Sequence, residues 1–433
     1  MTGLFSMPDA AWVLFGLLVP LFLLNTPIAV AVGVSAVAAF MVQGDMNLML
    51  VVQRLYAGAD SFPLMAVPLF IIAGNLMGAG GISRRIVAVA DALVGHLPGG
   101  LAAVSVLSAM FFAGISGSAA ADTAAVGTIL IPAMVRRGYS PAFSGAVQAA
   151  AGSVGVVIPP SIPMIIFGVL TGASIGRLFA AGVLPGLLIG ASLMAVCVWH
   201  ARRNGWRSER PFSSRALRIA LTKATWALGA PLIILGGIAG GMFTATESAA
   251  IAVFYALFIG LFVYRELPLS SLPGLVLQSG ITSAIILFII CTASVFSWFM
   301  AIRDLPAAIA QGLLGITENP LLLLLIINGM LLCAGIILET TAALILFVPV
   351  LLPVLPALGI DVIHLGVIVV MNLAIGMLTP PMGVCLIVSC SIASVRLEAI
   401  SRAVLPFLLA LLLNLALVSL YPPLSLYLPS LLF

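Results

Sequence analysis

Apolar stretches of roughly 20 residues follow one another from end to end of the chain, the length an α-helix needs to cross an apolar layer ~30 Å thick. Only 7% of the 433 residues are charged, against about 25% in a soluble domain, so the chain cannot clothe itself in a solvated surface. No pattern of alternating ten-residue strands marks an outer-membrane barrel. In hydrocarbon every backbone polar group must be satisfied internally, which leaves an all-α polytopic membrane bundle. The 42 Gly and 27 Pro lie largely inside the apolar stretches, where neighbouring helices can re-satisfy the backbone groups they free.

The few charges are informative by position. Seven of the 17 basic residues fall between Arg202 and Lys223, against one acid, Glu209. A basic connection between apolar stretches marks the cytoplasmic side and suits contact with anionic membrane lipid. No nucleic-acid motif accompanies the net charge of +4. The N-terminus has neither a basic leader nor a clear cleavage site, so no signal peptide is expected. The five cysteines, Cys197, Cys291, Cys333, Cys385 and Cys390, have no metal spacing and read as small core residues.

The chain repeats itself. Ala113-Gly114-Ile115 returns as Ala334-Gly335-Ile336, Gly155 as Gly376, and Pro159-Pro160 as Pro380-Pro381, each at an offset of 221. Thr26 matches Thr246 at 220, while Asp122-Thr123 and Pro132 match Glu339-Thr340 and Pro349 at 217. The expected organisation is a first repeat over 1–200, a basic cytoplasmic arm over 201–224, and a second repeat over 225–433.

The flanking charges predict that the repeats are inverted. The segment 99–135 is interrupted at Gly114-Ile115-Ser116-Gly117-Ser118, leaving arms of about 15 residues, or roughly 22 Å of helix, short of a crossing. Arg84-Arg85 precede it, with an interfacial helix between, and Arg136-Arg137 follow it. It therefore reads as a re-entrant hairpin with both ends in the cytoplasm. Its counterpart over 320–357 is flanked by Glu318 and Asp361 and fits the opposite face. Five crossings per half produce this inversion: 8–23, 26–42, 61–80, 142–173 and 178–200, then 225–242, 246–264, 273–300, 363–395 and 403–421. Both termini then lie outside. Arg265, Arg396 and Arg402 fall inside, while Arg177 and Arg303 fall outside, against the trend.

Inverted repeats with broken helices are the sequence pointer to a secondary transporter whose sites lie at the repeat interface. Each half has two interruptions: the hairpin tip, and a Gly-to-Pro-Pro break over Gly155–Pro163 and again over Gly376–Gly383. A Pro lacks the amide that would close the helix ladder, so upstream carbonyls are free to face a cation. Ser116, Ser118, Thr340, Thr341 and Thr379 add hydroxyl oxygens near these points, and Ser161 follows the first Pro pair. Asp122 and Glu339 sit just past the two tips, where they serve either as helix caps or in ion or proton handling. Glu247 reads as a capping acid near the surface. Arg54 and Arg303 read as interfacial residues rather than substrate clamps.

Several segments resemble the large membrane subunit of tripartite ATP-independent periplasmic (TRAP) transporters. These are Asp60–Phe70, the Gly114–Asp122 tip, Ile158–Pro163, Gly241–Glu247, Glu339–Ala343 and Asn372–Pro381. The resemblance implies an elevator-type carrier, coupled to sodium and needing no other cofactor, in the bacterial inner membrane. It implies two partners, a small four-helix membrane subunit, expected as a separate chain, and a periplasmic substrate-binding protein. It implies a small organic acid as substrate, of the dicarboxylate, sugar-acid or sialic-acid class. Carried over, its first sodium site falls on Ser116, Gly155, Ile158 and Pro160, and its second on Gly335, Gly376, Thr379 and Met382. Ala245 departs from the family's Pro, far from both sites.

Two other classes compete. Gly114-Ile115-Ser116-Gly117 matches the nucleophile pattern of rhomboid-like intramembrane proteases, but that chemistry needs a base within hydrogen-bond reach of the serine. The three histidines, His96, His200 and His364, lie near the expected membrane edges. A channel also accommodates paired hairpins. No phosphate-binding loop for an ATP-driven pump is present.

Overall fold

The computed structural model describes residues 9–24, 26–44, 47–206, 211–317, 319–355, 359–381 and 383–433, and among these it is all helix and turn. Twenty α-helices follow in order among the described residues. The first half holds α1 (Asp9–Leu23), α2 (Ile28–Gln43), α3 (Leu48–Ala59), α4 (Ala66–Ala79), α5 (Ile82–Val94), α6 (Gly100–Ser116), α7 (Ala119–Arg136), α8 (Pro141–Ser153), α9 (Ile162–Thr171) and α10 (Ile175–Arg203). The second holds α11 (Ser214–Ala239), α12 (Ala245–Phe258), α13 (Leu272–Ile302), α14 (Leu305–Leu314), α15 (Pro320–Ile337), α16 (Thr340–Leu351), α17 (Val362–Gly376), α18 (Val384–Ala393), α19 (Leu397–Leu420) and α20 (Pro423–Leu432). Eight helices among the described residues are long and apolar enough to cross a membrane.

The expected crossings all coincide with helices, and the two long ones, 142–173 and 363–395, are each interrupted, as α8/α9 and α17/α18. Three details differ from the sequence reading. Three of the four hairpin arms are longer than 15 residues: α6 has 17 and α7 and α15 have 18 each, while α16 has 12. Eighteen residues make about 27 Å of helix, so arm length alone does not make these segments re-entrant. The basic arm is not simply a loop, because α10 runs on to Arg203 and α11 already starts at Ser214. Finally, α3, α14 and α20 were not expected. The polar tracts before α3 and α14 masked their short apolar helices.

Two groups of helices pack separately. In one, α2 lies on α1 and α13, α3 on α13, and α4 on α12 and α13. In the other, α6, α7 and α8 pack together, α8 lies on α18 and α19, α9 on α16, and α15 on α17. The groups meet where α4 touches α6 and α13 touches α16, and α5 bridges α6 to α11. Arg54 stacks on Trp298 with its guanidinium 4.9 Å from the ring centre, and Arg303 donates to Gln43 at 2.8 Å. Both arginines thus tie the first-half helices to α13 and take no part in the hairpins. Glu247 completes a capping box with Thr244 at the start of α12, as expected.

Candidate functional site

The first hairpin turns at Gly117, whose φ of +64° favours glycine. Space demands glycine as well: a Cβ there would lie 2.6 Å from the Pro160 carbonyl oxygen. The tip therefore rests backbone to backbone on the break between α8 and α9. The Ile162 N–H donates to the Gly117 carbonyl at 3.4 Å, and the Pro159 carbonyl faces Gly114 from the same side. Both Pro-Pro bonds, Pro159-Pro160 and Pro380-Pro381, are cis.

Around this contact the sequence concentrates oxygen. The Ser116 hydroxyl donates to Asp122 Oδ1 and accepts the Ser118 N–H at 3.2 Å. Asp122 is fully buried, and its Oδ2 has no hydrogen-bond partner among the described residues. That oxygen lies directly against Gly155, where a Cβ would stand only 2.0 Å away. A buried carboxylate oxygen left without a partner is costly unless a cation or a proton meets it. Asp122 is not the cap of α7: Ser118 holds the N-cap position, and the Asp122 side chain is committed to Ser116 and Gly155. Ser161 caps α9, and its hydroxyl also donates to the Val156 carbonyl across the break. Ile158 packs its side chain against Gly186 of α10, so only its backbone could serve the break.

The second tip repeats the contact with a different detail. Gly335 and Gly376 meet directly: a Cβ on Gly376 would fall 2.5 Å from the Cα and carbonyl carbon of Gly335. Glu339 is the N-cap of α16, accepting the Thr341 N–H and hydroxyl at 3.1 Å each, so here the capping alternative holds. The two acids that match at offset 217 thus do different work. The Thr379 hydroxyl donates to the Ile375 carbonyl at 2.8 Å, while the Thr340 hydroxyl is buried without a partner among the described residues. Met382 lies outside the described residues.

Beside the first tip, a cavity of about 920 Å³ separates α6 and α7 from α4 and α13. Ser116 and Ser118 open onto it, as do Asn75, Gln278 and Thr282, with Arg84 and Glu266 also on its wall. Asn75 donates to Ser279 at 2.7 Å. The sequence reading missed Asn75, Gln278 and Thr282, together with buried Gln148, which takes a hydrogen bond from Ser105, and buried Asn372, whose Oδ1 is unpaired among the described residues. The signal that could have found them is an amide side chain within an apolar helix, which is expensive there without a role. No histidine serves Ser116: His96 meets Phe212, His200 stacks on Phe143, and His364 bonds Ser425. The protease reading has no base.

Two interrupted helices, each receiving a hairpin tip of matched sequence, with a polar cavity beside the first tip, define a polytopic membrane permease rather than an enzyme. The family profile described as "Tripartite ATP-independent periplasmic transporter, DctM component" matches residues 15–424, and the chain belongs to that family. It is a multi-pass protein of the bacterial inner membrane. It is 45% identical over 416 residues to the isethionate TRAP transporter permease protein DctMQ of Oleidesulfovibrio alaskensis, covering 96% of this chain and 65% of that one. The chain thus spans about two thirds of that relative's length. It is 42% identical over 377 residues to the C4-dicarboxylate TRAP transporter large permease protein DctM of Pseudomonas aeruginosa (87% and 88% of the two chains). With the sialic acid TRAP transporter large permease protein SiaM of Vibrio cholerae it shares 39% over 418 residues (96% and 98%). Its fold is similar to the crystal structure of the Alcanivorax borkumensis YdaH transporter, with a TM-score of 0.59 at 17% identity over 87% of this chain and 90% of that one.

Proposed function

We propose that this permease takes up a small organic acid in symport with sodium, by an elevator movement of the hairpin-bearing group against the α1–α4 and α11–α13 group. The observation that carries the reading is the first tip, where a buried, half-unpaired carboxylate bonded to the Ser116 hydroxyl lies against Gly155 of the break, and the Pro160 carbonyl lies against Gly117. This is an all-oxygen donor set of the kind hard cations take. The proposed first site comprises Ser116, Gly155, Pro160 and the Ile158 backbone, and the second Gly335, Gly376, Thr379 and Met382. The separation of the helices into two groups that touch along α4/α6 and α13/α16 supports relative motion.

The relatives named above are permeases for isethionate, C4-dicarboxylate and sialic acid. Their common chemistry is an organic anion bearing carboxylate or sulfonate, and the cavity beside Ser116 and Ser118 is within the roughly 300–1,000 Å³ of ordinary small-molecule sites. The substrate arrives from a periplasmic binding protein, and a small membrane subunit completes the complex. Reconstitution of the chain alone, with the small subunit, and with both partners tests this. Strong uptake requires all three, and full uptake by the single chain refutes the tripartite arrangement. Asp122 also supports a second reading, proton coupling, which predicts uptake that persists when potassium replaces sodium.

A further inference from the structure

The crevice between α5 and α11 holds a second site, which shares Arg84 and Glu266 with the wall of the cavity beside the first tip. It opens as a pocket of about 490 Å³ lined by Arg84, Arg85, Lys223, Tyr264 and Glu266, with Ala88 and Ala220 on its walls. Arg85 forms a fixed floor: its guanidinium pairs with Glu266 at 2.9 Å, donates to the Gly81 carbonyl at 2.8 Å, and stacks 3.5 Å from the centre of the Tyr264 ring. Tyr264 is held in turn, its hydroxyl donating to the Lys223 carbonyl at 3.3 Å and accepting the Ala227 N–H at 3.1 Å.

Charge around the pocket does not balance. Three cations face one carboxylate, and the strong pair with Arg85 already consumes Glu266. Arg84 reaches Glu266 only at 4.0 Å with its side chain 81% exposed, and Lys223 is exposed with no ion pair among the described residues. One cation without an ion pair among the described residues, Lys223, and one only loosely paired, Arg84, thus flank an open pocket walled in part by Ala88 and Ala220. One turn beyond Lys223 lies exposed Trp226, and Phe262, two residues before Tyr264 in the chain, is exposed as well, side chains of the kind expected at headgroup level. A pocket of net positive charge, on segments that also carry exposed Trp226 and Phe262, fits a molecule with an anionic head and hydrocarbon tails.

We propose that this pocket binds the phosphate of an anionic phospholipid, held by Arg84 and Lys223 above the Arg85–Tyr264 floor. Basic pockets between membrane helices are the setting in which such headgroups are recognised. The site is independent of the sodium reading, since none of its ligands belongs to either cage.

The test uses the full chain in nanodiscs and reads its thermal stabilisation and the lipid it retains by native mass spectrometry. Phosphatidylglycerol, phosphatidylcholine, and phosphatidylcholine with added inorganic phosphate are compared. Phosphatidylglycerol is expected to be retained and to stabilise, and the other two are not. The double variant Arg84→Gln/Lys223→Gln should weaken retention roughly fivefold per charge, about 25-fold together, from ~1 kcal/mol per basic residue at an anionic surface. Ala88→Phe fills the pocket without altering charge and should abolish the preference. Equal retention of both lipids, or an undiminished preference in both variants, overturns the site. Stabilisation by inorganic phosphate equal to that by phosphatidylglycerol overturns its assignment to lipid.

Discussion

The Gly335–Gly376 contact gives the sharpest prediction, because it joins two backbones and no side chain can swing away. In Gly376→Ala the new Cβ would stand 2.5 Å from Gly335 Cα and from its carbonyl carbon, where carbon atoms normally rest ~3.5–4.0 Å apart. The hairpin and the interrupted helix must therefore separate by about 1 Å at the second tip. Overpacking of this kind costs ~1–3 kcal/mol. Against it stands the ~0.5–1 kcal/mol that alanine gains over glycine in a helix, so the clash wins. If the separation is felt at an ion held between the two elements, apparent sodium affinity falls roughly five- to 150-fold at ~1.4 kcal/mol per decade. The control is Gly329→Ala, on α15 with Gly335 but with open space around it, which should leave affinity unchanged. Initial uptake against sodium in proteoliposomes holding the whole complex reads both. Wild-type sodium dependence in Gly376→Ala refutes the close approach as a functional requirement.

Asp122→Asn should depress transport more than Ser116→Ala, because it removes the buried charge while the serine variant removes one hydroxyl; equal, wild-type sodium curves in both would dismiss the first cage. Thr379→Val should be mild, within about 1.5 kcal/mol or roughly tenfold, since that hydroxyl already donates to the Ile375 carbonyl. The inverted arrangement predicts that, in a background free of native cysteines, Ser430→Cys reacts with an impermeant thiol reagent on intact cells and Ser214→Cys does not; the reverse pattern sinks it.

Most of the architecture was legible because it is written in two ways at once. Apolar length gives the crossings, and the 221-residue repeat locates the interruptions that length alone would pass over. Gly117 and Gly155 were visible as glycines, but not the reason for each: one must clear the Pro160 carbonyl and the other the Asp122 carboxylate, contacts between residues distant in sequence. For the same reason sequence treated Asp122 and Glu339 as equivalents. Their spacing from the tip is similar, yet one caps its helix and the other turns toward the neighbouring break. The cavity residues Asn75 and Gln278 come from α4 and α13, and only packing brings them together. Short helices such as α3 and α14 carry too few turns to show a period.

The central claim is sodium coupling through two cages, and the most direct measurement is initial uptake by the reconstituted complex as sodium is titrated, with potassium holding ionic strength. Two cooperating cages predict a saturating, sodium-dependent rate with a Hill coefficient above one. Uptake indifferent to sodium would contradict it.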